Sequence, residues 1–166
     1  MLTSHELFGF MPASLATHIV EFTAENDKEL YRATLNAVAE ARKLRPVFYE
    51  RKPRAERNKD IVAMLGKPRL DAVAGTLIRG WLIKKHKAML ALFLDSLGIT
   101  HEDGVVENLP ETVEDAKLKE ALDKLTAQYP VEEVAVYLNA FYAMNDVSWV
   151  NLKDLLEEDP RLHFGS

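Results

Sequence analysis

Apolar side chains recur along most of this chain at intervals of three and four residues, the spacing of one face of an α-helix. Leu15, Ile19 and Phe22 predict an amphipathic helix over 12–24, with Pro12 in the first turn where its missing N–H costs nothing. Asn26 and Glu29 have the spacing of an N-cap and its reciprocal acid, and open a helix to about Leu44 with the stripe Leu30, Tyr31, Leu35, Val38 and Ala41. Pro46 and Pro53 forbid one long helix beyond it, so a short helical turn over 46–51 and a new helix over 53–65 are expected. The opening Leu7-Phe8-Gly9-Phe10 reads as a lid on the core rather than an element.

The stretch Leu70–Gly98 organises the rest. Leu70, Val73, Leu77 and Trp81 line its first half, and Ala88 to Leu94 is apolar on every side of a helix. Such a run must be enclosed by neighbours. It is far short of the roughly 20 residues that cross a bilayer. A buried central helix over about 84–97 is therefore expected, and Gly75 and Gly80 allow close helix contact or a bend near Lys84. Residues 99–111 read as an irregular connection, with a turn at Glu102-Asp103-Gly104 and a brief extended segment at Val105-Val106. Thr112 and Asp115 cap a helix to Tyr129. Pro130 starts the next, and a last one runs from Ser148 to Glu158 around Trp149, Leu152, Leu155 and Leu156. Residues 161–166 read as a loose tail. No strand period and no repeat interval emerge. The expectation is all-α: a single helical domain over 1–166, a bundle of seven or eight helices around the central one.

Composition adds little until charge is divided along the chain. With 166 residues, 48% hydrophobic and 28% charged, the chain can bury a core of its own. It has no cysteine, which removes disulfides, thiolate metal sites and cysteine nucleophiles. The first basic residue is Lys28, and Glu6 interrupts the early apolar residues, so no secretory leader is read and a soluble, cytoplasmic protein is expected. The net charge of −5 conceals −4 over 1–41, +10 over 42–89 and −11 over 90–166. An asymmetry of this size points to an anionic partner, or to a basic segment packed beside its own acidic flanks.

No motif nominates catalysis. The five histidines lie at no helical metal spacing, and no zinc-protease, nucleophile-elbow, phosphate-loop or EF-hand pattern occurs. His101-Glu102-Asp103 could donate to a metal, but polar residues beside a glycine turn need no such role. No catalytic, cofactor or metal residue is therefore assigned, and no cofactor is expected. The basic segment is the candidate. Arg45, Arg51, Lys52, Arg54 and Arg57, with Lys84, Lys85 and Lys87 further on, are expected to meet an anion or a partner, and Phe48 and Tyr49 between them read as core. The leading expectation is a non-catalytic protein-interaction module of opposed charge halves that recruits a protein partner or self-associates, through aromatics such as Trp81, Trp149, Phe8 and Phe10 if they are exposed. The alternative is nucleic acid or another polyanion bound through 42–59 and 84–87. A pI of about 5.6 argues against a dedicated nucleic-acid binder. An enzyme whose site converges from distant positions is the second alternative. Prolines interrupt the basic segment, so no membrane-surface helix is read there.

Overall fold

The computed structural model describes residues 1–164. Among them are ten α-helices and two short 3₁₀ helices, with no strand beyond an isolated bridge between Glu102 and Val105. The all-α class stands. Packing divides the helices into two compact units, Thr3–Trp81 and Met1–Leu2 with the chain from Leu82 onward.

The Thr3–Trp81 unit contains α1 (Ser4–Phe10), α2 (Ala13–Asn26), α3 (Lys28–Ala41), α4 (Pro46–Glu50), α5 (Arg54–Leu65), a 3₁₀ turn (Pro68–Leu70) and most of α6 (Asp71–Lys85). Six of the seven prolines stand immediately before a helix or at its first position, where a backbone donor is dispensable. The opening residues form a helix rather than a simple lid, because Glu6 accepts from the Thr3 N–H at 3.2 Å and from its hydroxyl at 2.8 Å. Those bonds hold the Glu6 carboxyl below its usual range. Leu7 and Phe8 are buried and Phe10 is half exposed. The cap of α3 lies one residue later than expected: Asp27 accepts from the Leu30 N–H at 3.1 Å, while Asn26 ends α2 by donating to the Phe22 carbonyl. Ile19, Val20, Val38, Ile61, Leu65, Leu77, Ile78 and Trp81 are fully buried and form the core.

The second unit adds α7 (Lys87–Ser96), α8 (Asp115–Gln128), α9 (Val131–Met144), α10 (Val150–Glu158) and a 3₁₀ turn (Pro160–His163). The helix expected over 84–97 is divided at His86, whose φ of −113° and ψ of 32° are not helical. The bend costs no backbone bond there: the His86 N–H still reaches the Leu82 carbonyl, and the His86 carbonyl the Leu90 N–H. Nor is α7 enclosed on all sides, since Ala88 is exposed and Ala91 and Leu92 half-buried. That position belongs to α9, where every residue from Val134 to Phe141 is buried. Phe93, Tyr137 and Phe141 stack edge to face with centroids 5.2 to 6.0 Å apart, and Trp149 lies 5.5 Å from Phe141.

Asn139 is the one fully buried side-chain amide among the described residues of this unit, and both its oxygen and its NH2 group are hydrogen-bonded. It accepts from the Leu2 N–H at 2.8 Å and donates to the Ala135 and Leu162 carbonyls at 2.8 and 2.6 Å. The chain end expected to be loose is thus pinned as far as His163, with Leu162 fully buried; Gly165 and Ser166 lie outside the described residues. The connection after α7 is pinned too, by Trp149 Nε1 on the Pro110 carbonyl and by Asn151 on the Val113 carbonyl, each at 2.8 Å. Asn151 also holds the Asp115 carboxylate at 2.8 Å, and α8 begins at Asp115 rather than just after Thr112.

Candidate functional site

The link from α3 to α5 is built by backbone rules that leave apolar side chains outside. Lys43 takes a left-handed conformation (φ 58°) after α3. Its N–H reaches the Glu40 carbonyl at 3.0 Å, and the Leu44 N–H reaches the Ala39 carbonyl at 2.8 Å. This is a Schellman stop with lysine where glycine is usual. Arg45 is then extended, as the residue before proline must be, and Pro46 opens a helix of only five residues. One turn can bury only one side. Tyr49 faces in, 1% exposed, whereas Leu44, Val47 and Phe48 are 38%, 43% and 47% exposed. Expecting both aromatics in the core was wrong for Phe48.

Two side-chain networks hold this corner to its neighbours. The Tyr49 hydroxyl and the Arg42 guanidinium both donate to Asp60 at 2.5 Å. Burial, and then the Asp60 carboxylate, push the Tyr49 phenol up to about 12. Beside them the Tyr31 hydroxyl donates to Asn58 Oδ1, while Arg57 Nε donates to the Tyr31 oxygen at 3.1 Å with its guanidinium 5.6 Å over the ring.

These contacts sort the expected cations. Arg45, Arg51 and Lys52 come together around a shallow depression of about 560 Å³ that Leu44, Val47 and Phe48 also line. The Lys52 ammonium stands 4.8 Å over the Phe48 ring and 5.4 Å over Tyr49. Arg54 pairs instead with Glu25 at 3.6 Å, and Arg57 serves Tyr31. Lys84 and Lys85 end α6 and Lys87 begins α7, in the other unit. Leu44, Val47 and Phe48 were missed as site residues. The signal was present in the two prolines, which leave room for one helical turn with a single inward face.

A second concavity, about 820 Å³, lies within the unit that follows Leu82. Ile83 and Val105 supply apolar lining, Glu102, Asp103 and Glu107 carboxylates, and Lys87 an ammonium. Its hairpin closes as Glu102 and Val105 exchange backbone bonds of 2.9 Å across Asp103 (φ 52°) and Gly104 (φ 87°), the positive-φ pair of a type I′ turn. The Gly104 N–H donates to His101 Nδ1 at 3.0 Å, so His101 carries its proton on Nε2 and donates it to Asp95 at 2.7 Å. Both ring nitrogens are thereby hydrogen-bonded within the chain. Among the described residues no three His, Asp or Glu side chains gather to hold a metal, and no helix is long and apolar enough to cross a membrane.

Fold and site together define an all-α protein with a basic, apolar corner in one unit and an acidic, apolar-lined groove in the other. The chain matches no family model, no curated protein and no solved structure.

Proposed function

We propose that this protein works by binding rather than by catalysis, and that the α4 corner docks an acidic segment of a partner protein that also carries apolar side chains. The observation behind this is Phe48, Val47 and Leu44 exposed on the same depression that Arg45, Arg51 and Lys52 line. Interface centres are enriched in aromatics and arginine, with charged rims that set encounter and selectivity. A protein ligand is favoured over nucleic acid because the Lys52 ammonium already covers a face of Phe48, where an unpaired base would have to stack. With no cysteine in the chain, a reducing, cytoplasmic setting belongs to the same proposal.

The test is fluorescence anisotropy with two labelled probes, a peptide alternating Leu and Phe with Glu, and a mixed-sequence oligonucleotide, each at about 50 and 200 mM salt. The peptide is expected to bind, and Phe48→Ala to weaken it by about tenfold, roughly 1.4 kcal/mol. Oligonucleotide binding that collapses at the higher salt, with no peptide binding, transfers the corner to nucleic acid. If neither probe binds, the corner is not a docking site.

A further inference from the structure

The groove around Glu102–Val105 has the complementary chemistry to the α4 corner. We propose that the corner's partner is a second copy of this chain, its Phe48 and Val47 entering that copy's groove while Arg45, Arg51 and Lys52 meet Glu102, Asp103 and Glu107. This rests on the reading of the corner as a docking site and names its occupant.

Three observations support the match. The first is charge: the three corner cations face a rim of three exposed carboxylates, among which Lys87 is the single lysine or arginine lining the groove. The second is apolar surface. Val105 is 45% exposed and Ile83 half-buried in the groove, and a space of about 820 Å³ admits side chains the size of Phe48 and Val47. The third is preorganisation. The hairpin that carries two of the carboxylates is fixed by its own paired bonds, by His101 beneath Gly104, and by contact with α7. A Cβ on Gly104 would lie only 2.6 Å from the Leu90 Cβ. A hairpin backbone already held in place loses little freedom on docking.

The two surfaces are different parts of one chain, so each contact pairs a corner with a groove rather than like with like. That geometry has a distinctive test in sedimentation velocity on the full chain. Arg45→Glu with Arg51→Glu disables the corner, and Glu102→Lys with Glu107→Lys disables the groove. All four side chains are exposed, and circular dichroism checks that the helices persist. Wild type is expected to associate as its concentration rises from about 5 to about 500 µM, with affinity falling at least tenfold between about 50 and 300 mM salt. Each double variant alone stays monomeric. Their equimolar mixture forms a one-to-one heterodimer, because it retains one intact corner and one intact groove.

A wild type that remains monomeric throughout, a mixture that does not pair, or a groove variant that still self-associates overturns the proposal. The acidic peptide, run in parallel, separates this failure from that of the corner reading. If the peptide binds wild type but not the corner variant while wild type is monomeric, the second copy is wrong and the corner stands. If the peptide does not bind either, both fall.

Discussion

Gly104 carries two constraints at once. Its φ of 87° suits glycine, and its missing Cβ is what lets the hairpin rest on Leu90. Gly98 shares only the first: its φ is 71°, but nothing lies within 4 Å of where a Cβ would sit. The two substitutions should therefore separate. Gly98→Ala is expected to cost about 1 kcal/mol from conformation alone, and Gly104→Ala about 3 kcal/mol once overlap is added. Urea unfolding of both variants checks this, and equal costs would mean the hairpin yields easily. The turn itself was legible, because Asp-Gly is a preferred pair for a turn with two positive φ values. The part of His101 was not. It depends on Asp95 six positions back, and His101-Glu102-Asp103 taken as a string reads only as polar residues beside a glycine turn.

At the scale of the element, α4 shows where sequence reading succeeds and where it stops. Pro46 and Pro53 place a short helix there correctly, since a missing donor and a restricted preceding residue act locally. Which of Phe48 and Tyr49 turns inward is settled by Asp60, eleven residues past Tyr49, and by its shared bond with Arg42. No local pattern carries that information. The same holds for Arg57, whose partner Tyr31 lies on α3. The stop of α3 offers a direct test of the local part. Lysine in the left-handed position is strained, so Lys43→Gly should raise stability by about 1 kcal/mol. Thermal melting reads it. A loss of stability would show that the Lys43 side chain contributes something beyond the turn.

For the whole molecule, the charge blocks visible along the chain remain, but contacts reduce the effective basic set. Asp60 engages Arg42, Glu25 engages Arg54 and Tyr31 engages Arg57, so Arg45, Arg51 and Lys52 are the cations left around the corner depression. The apolar pattern located the helices well and their enclosure less well. Ala88–Leu94 looked like the centre because it is unbroken, yet α9 is the buried helix despite Asn139, whose amide is satisfied at long range. Asn139→Ala would strand the Leu2 N–H and the Leu162 carbonyl, and is expected to cost about 3 kcal/mol in chemical denaturation. Faster amide exchange at Leu2 should accompany it, and unchanged exchange there would contradict the tie.

Asn139 also brings two distant stretches of chain to a single point. Leu2 and Leu162 stand one amide group apart in the folded state. A short peptide bridge between those stretches would close a ring that the fold already holds shut, and would act mainly by shrinking the freedom of the unfolded chain. Once the ring is closed, the backbone can be opened elsewhere. The order in which the helices are strung together thus becomes a variable separate from how they pack.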